Sequence, residues 1–193
     1  MHFLYKIPGF ILLLFGGFCL SWGGLIIRSF EEATVWQILL LRSVFFMFAL
    51  IIFLFFTYKK NTFKIIKDSG YPALIGGFVM SLSFIAFVVS MSKTSVANVV
   101  FIISTQTMFL ALLGYFYLKE KVSFISLITI ILAMTGIIIM VGDSLTSGSF
   151  IGNLIALAIP INFSILVMII RKNKNLDMVP AIFYSGIFSI IYG

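Results

Sequence analysis

The chain has 193 residues, 62% of them apolar and only 10% charged, with a mean hydropathy of +1.21. Soluble domains average about 45–50% apolar and about 25% charged residues, so a water-soluble globule of this composition would expose large apolar patches; soluble enzyme, nucleic-acid binder and disordered chain are poor readings. The net charge of +7 does not point to nucleic acid either, because the basic residues form short islands between apolar runs, where a membrane protein keeps them.

In chain order, six runs have the ~20 mostly apolar residues that a spanning helix needs: 7–27, 35–58, 70–92, 96–118, 122–142 and 150–170. The first follows Lys6 but lacks a small-x-small cleavage site, so it reads as a retained helix. A seventh run starts at Met178 and stops at Gly193, too short to span comfortably. The expectation is a polytopic all-α membrane bundle with six full helices and part of a seventh, cut from a longer chain.

The islands alternate. Lys6, then Lys59, Lys60, Lys64 and Lys67, then Lys119 and Lys121, then Arg171, Lys172 and Lys174 fall on one side; Arg28 and Lys93, beside Glu31, Glu32 and Asp143, fall on the other. Basic loops remain cytoplasmic, which places the N-terminus inside a bacterial inner membrane.

Internal symmetry follows the same alternation. At an offset of 143, Gly9 aligns with Gly152, Leu14 with Leu157, Ser21 with Ser164, and Ile26-Ile27-Arg28 with Ile169-Ile170-Arg171. Five spans separate the two copies, so the second crosses in the opposite direction, as in the inverted-topology repeats of many secondary transporters.

Further features carry a family likeness. Trp22-Gly23 falls late in the first span and Arg42 early in the second. Lys93-Thr94-Ser95-Val96-Ala97 tightly joins the third and fourth, Glu120 follows the fourth, and Gly136 and Val141-Gly142 mark the fifth. In this the chain resembles the drug/metabolite transporter superfamily, specifically its EamA-type members. The resemblance implies two five-helix repeats, here residues 1–145 and the start of a second at 146–193, with about a third of a full transporter missing. One departure stands out: the family usually has a proline midway along the fourth helix, and this chain has Gln106 near there.

Polar groups in hydrocarbon are costly and mark candidate function. Arg42 is the one charge inside a span, and its position favours snorkelling toward the outer headgroups over a fixed cation in a vestibule. The fourth span is the most polar, with Asn98 and Ser104-Thr105-Gln106-Thr107. Serine and threonine satisfy themselves on their own helix carbonyls, whereas Asn98 and Gln106 need an interhelical partner or a wet cavity. Ser83 and Ser90 share a face of the third helix, and Pro160 and Asn162 interrupt the sixth. Trp22 offers either an interface anchor or an apolar stacking face, and the resemblance tips it to the pocket. The expected substrate-binding set is Trp22, Ser83, Asn98, Thr105, Gln106 and Asn162.

Catalytic patterns are missing. There is no phosphate loop, no Gly-x-Ser-x-Gly elbow and no His-Glu-x-x-His zinc helix; the one histidine is His2 and the one cysteine Cys19. No enzyme activity, cofactor or metal is expected. The reading is a secondary transporter moving an amino acid, nucleoside-like compound or drug by alternating access, with a small-molecule substrate and the lipid bilayer as partners, no nucleic acid, and a homodimer compatible with it. Its alternative is a non-transporting scaffold or integral membrane enzyme.

Overall fold

The computed structural model describes residues 8–30, 32–120, 123–144 and 149–193, and among these it is all helical. The helices are α1 (Gly9–Ser29), α2 (Val35–Tyr58), α3 (Thr62–Asp68), α4 (Gly70–Lys93), α5 (Val96–Ser104), α6 (Gln106–Leu118), α7 (Phe124–Ser144), α8 (Phe150–Lys172) and α9 (Val179–Tyr192), with a 3₁₀ turn at Lys59–Asn61. Four segments are long and apolar enough to cross a membrane: Val35–Tyr58, Gly70–Lys93, Val96–Leu118 and Phe150–Lys172. These match four of the six expected runs. The runs at 7–27 and 122–142 form the apolar helices α1 and α7, which are not among those four.

Helix boundaries follow local chemistry. At the start of α2, the Thr34 hydroxyl accepts from the Gln37 N–H while the Gln37 side chain accepts from the Thr34 N–H, a reciprocal capping box that satisfies two otherwise orphaned groups. The basic segment after α2, which reads as a loop in the sequence, is instead a 3₁₀ turn and the short helix α3, anchored by the Thr62 hydroxyl donating to the carbonyls of Leu54 and Lys59.

The fourth span is broken at Thr105, whose φ of −78° and ψ of 0° separate α5 from α6. No proline is present to break it. The Ser104 hydroxyl donates to the Phe101 carbonyl and the Thr105 hydroxyl to the Ile102 carbonyl, both at 2.6 Å, while the Thr105 N–H reaches Ile102 at 3.1 Å. Side-chain hydroxyls and a three-residue turn thus occupy carbonyls that the α ladder would otherwise use, which bends a helix without proline chemistry.

α4 lies at the centre and packs most extensively on α8 and α9. Small residues make this possible. A Cβ at Gly77 would lie 2.5 Å from the Tyr184 Cβ and 2.7 Å from the Ala181 carbonyl oxygen, and one at Gly152 would lie 2.7 Å from the Lys93 carbonyl carbon. Backbones approach this closely only where side chains are absent, the device by which membrane helices associate without a hydrophobic driving force. The largest buried cluster, including Leu39, Val88, Met91, Val99, Ile102 and Ala156, joins α2, α4, α5 and α8.

Contacts between distant segments define two ends. At the basic end, Arg171 pairs with Glu120 at 2.9 Å, and the Tyr58 hydroxyl donates to Asp177 at 2.6 Å. At the opposite end lie Glu32, Lys93, and the first turns of α2, α5 and α8.

Candidate membrane-embedded site

Two polar features occupy the end opposite the basic one. The first is a joint. Thr94, at the α4–α5 corner, donates its hydroxyl to the Asn153 Oδ1 at 2.7 Å, and the Asn98 Nδ2 reaches the Thr94 Oγ1 at 3.2 Å and the Asn153 Oδ1 at 3.4 Å. The local cause is clear: Ser95 caps α5 by accepting from the Asn98 N–H, which sets Asn98 one turn beyond Thr94, while Gly152 lets the first turn of α8 press against that corner. Asn153 is fully buried and its Nδ2 is left without a partner among the described residues.

The second is a cavity of about 810 Å³ between late α1 and early α2, lined by Gly23, Ile27, Gln37, Ile38, Leu41 and Arg42 among others, with Phe87 of α4 at its inner wall. Arg42 does not snorkel as its sequence position suggests. Its guanidinium carbon lies 5.1 Å from the Phe84 ring centroid and 4.9 Å from that of Phe87. At ~1.5 Å rise per residue those rings sit about 14 and 9 Å below Lys93 respectively, so the aromatic pair holds the cation inside the bundle. The rings compensate the charge by about 0.5–2 kcal/mol each but accept no conventional hydrogen bond, and the Arg42 Nη1 is buried without a partner. Among the described residues no carboxylate pairs with it.

None of the six residues expected to bind substrate lines this cavity. Trp22 is 53% exposed and meets Phe18 edge-on at 6.1 Å. Ser83 is buried on α4, its hydroxyl without a partner among the described residues. Asn98 belongs to the joint, and Thr105 is spent on its own helix. Gln106 and Asn162 are half-buried, and their side-chain amides make no hydrogen bond among the described residues. Gln106 and α8 do meet, since the Ser164 hydroxyl bonds both the Pro160 carbonyl at 2.7 Å and the Gln106 carbonyl at 3.3 Å. This stitches the break in the fourth span to the proline turn of α8. The sequence did not single out Asn153 or Gln37. Asn153 pairs with a residue 59 positions away, and nothing local signals that.

Comparison with known proteins gives the chain a family. Residues 7–142 match the EamA-like transporter family. The chain belongs to that family. It is also 32% identical over 114 residues to an uncharacterized transporter of Clostridium kluyveri, the match covering 55% of this chain and 36% of that protein. The chain thus spans about a third of the length of the curated relative it matches. No solved structure gives a significant match. As an EamA-family chain rich in apolar helices it is a multi-pass membrane protein.

Proposed function

We propose that this EamA-family protein is a secondary transporter that carries a small organic metabolite, such as an amino acid, a nucleoside-like compound or a drug, across the bacterial inner membrane by alternating access. The observation that carries the reading is the cavity of about 810 Å³ between the apolar helices α1 and α2, with a cation in its wall that no carboxylate pairs among the described residues, a volume within the ~300–1,000 Å³ range of small-molecule sites. Six full spans and part of a seventh cross the bilayer, in inverted repeats at residues 1–145 and from 146 onward, with the basic end in the cytoplasm.

The cavity lies at the Glu32 end, sharing Phe30 and Ala33 with the surface hollow that holds Glu32. The counterpart opening, toward the basic end, forms beside the break in the fourth span at Thr105, where α8 carries Pro160 within an unbroken helix. Interrupted helices at membrane depth expose backbone and side-chain groups only toward protein or water. Gln106 and Asn162, with free amides, are the groups a substrate meets there; Trp22, Ser83 and Thr105 flank the path, and Asn98 holds the helices that move.

The test is uptake by the protein reconstituted in vesicles, screened with labelled amino acids, nucleosides and organic acids. The reading predicts saturable uptake of at least one class, lowered at least tenfold by Gln106→Ala or Asn162→Ala. Absence of uptake for every class removes the transport reading; uptake unchanged in both variants removes the site assignment.

A further inference from the structure

The cavity wall combines features that select a ligand class. Its lining is apolar, supplied by Ile26, Ile27, Phe30, Ile38, Leu41 and Phe45, and its one cation is Arg42. A guanidinium carries five N–H donors in a planar fork that matches a carboxylate two at a time. Here the two rings cover it without accepting those hydrogens, and its Nη1 has no partner among the described residues. Gln37, one turn nearer the mouth and on the same wall, commits its Oε1 to the α2 cap, which leaves its NH₂ to donate. The polar side chains lining the cavity, Arg42 and Gln37, are therefore donors; no side-chain carboxylate lines it, and Gly193 meets it through backbone alone.

From this we infer that the cavity binds an organic monocarboxylate with an apolar body, the carboxylate on Arg42 and the body against the α1 and α2 side chains. As a substrate class it rests on the transport reading; as a binding site it does not. A lipid phosphate presents related chemistry, but the Phe84–Phe87 pair holds the guanidinium about 9–14 Å below the helix ends, deeper than the headgroups. Glu32 lies in a surface hollow that shares Phe30 and Ala33 with the cavity, so a fixed negative charge stands at the mouth and opposes entry of the anion.

The experiment measures ligand-dependent thermal stabilisation of the purified protein in phosphatidylcholine nanodiscs, with phenylacetate, its neutral isostere phenylacetamide, and inorganic phosphate. Phenylacetate should act at a concentration at least tenfold below either of the others. Arg42→Gln should abolish the preference for acid over amide. Gly23→Leu keeps the charge and places bulk where a Cβ meets no atom within 4 Å; it should weaken both phenyl ligands at least tenfold. Glu32→Gln should strengthen phenylacetate about two- to threefold, as removal of one nearby like charge predicts, and leave phenylacetamide unchanged. Equal action of acid and amide on the wild type, or an acid preference that survives Arg42→Gln, overturns the inference. So does phosphate as effective as phenylacetate. Replacing half the lipid with phosphatidylglycerol should leave the preference intact; its loss there, with Arg42-dependent stabilisation by the lipid alone, overturns the inference in favour of a lipid phosphate. Uptake measured in parallel separates the two claims. Arg42-dependent binding without uptake of any class contradicts transport and supports the site. Uptake of other substrates with no acid preference contradicts the site and supports transport.

Discussion

The joint at Thr94, Asn98 and Asn153 and the cavity at Arg42 sit at the same end of one bundle, and they treat buried polarity in opposite ways. In the joint, hydroxyl and amides converge on one another across three helix segments, so polarity holds helices together. In the cavity, a full charge sits beside two aromatic rings, its Nη1 without an acceptor among the described residues. Those pairings contribute to stability, although the Asn153 Nδ2 beside them has no partner among the described residues. A buried cation kept without its counter-charge costs stability, and a cost of that kind is what a binding site retains when its partner is a ligand.

Four substitutions sharpen or break that contrast. The largest effect belongs to the packing beneath both features. Gly77→Val drives a side chain into the Tyr184 Cβ and the Ala181 carbonyl; overpacking against backbone costs about 3 kcal/mol or more, and size-exclusion chromatography should show loss of the folded, monodisperse species. Next, Asn153→Ala strips the acceptor from both Thr94 and Asn98 and should cost about 1–3 kcal/mol, read as a lower thermal midpoint in detergent, with phenylacetate binding retained. Arg42→Met should show the reverse pattern: a midpoint unchanged or raised by up to about 1 kcal/mol, with the acid preference gone. A destabilised Arg42→Met beside a neutral Asn153→Ala would invert the assignment of joint and site. The smallest effect falls at the basic end. The Arg171–Glu120 pair is 37% and 51% exposed, so Arg171→Gln should shift the midpoint by less than about 1 kcal/mol, and added salt should diminish that shift.

The long elements were readable from hydropathy because crossing a bilayer imposes a length and an apolar composition that few other constraints mimic. Runs 35–58, 70–92, 96–118 and 150–170 reappear as helices to within two residues at their ends. The break at Thr105 was half legible. Ser104 and Thr105 announce local hydroxyl bonding, and Gln106 stands near the family's proline position, but whether two hydroxyls suffice to interrupt a helix depends on geometry. The joint was one-third legible in the same sense: Asn98 demanded a partner, and that partner, Asn153, came from α8, 55 positions along the chain. The cavity was least legible. Arg42 is conspicuous, yet Phe84 and Phe87 are two of 23 phenylalanines, and no pattern distinguishes rings that hold a cation from rings that face lipid.

Every part of the account depends on the two ends of the bundle lying on opposite sides of a membrane. The direct measurement places single cysteines by Lys64→Cys and Glu32→Cys in a Cys19→Ala background and labels intact cells with a membrane-impermeant maleimide. The account predicts that the cysteine at position 32 labels in intact cells, whereas that at position 64 labels only after permeabilisation. Labelling of both positions from the same side would contradict it.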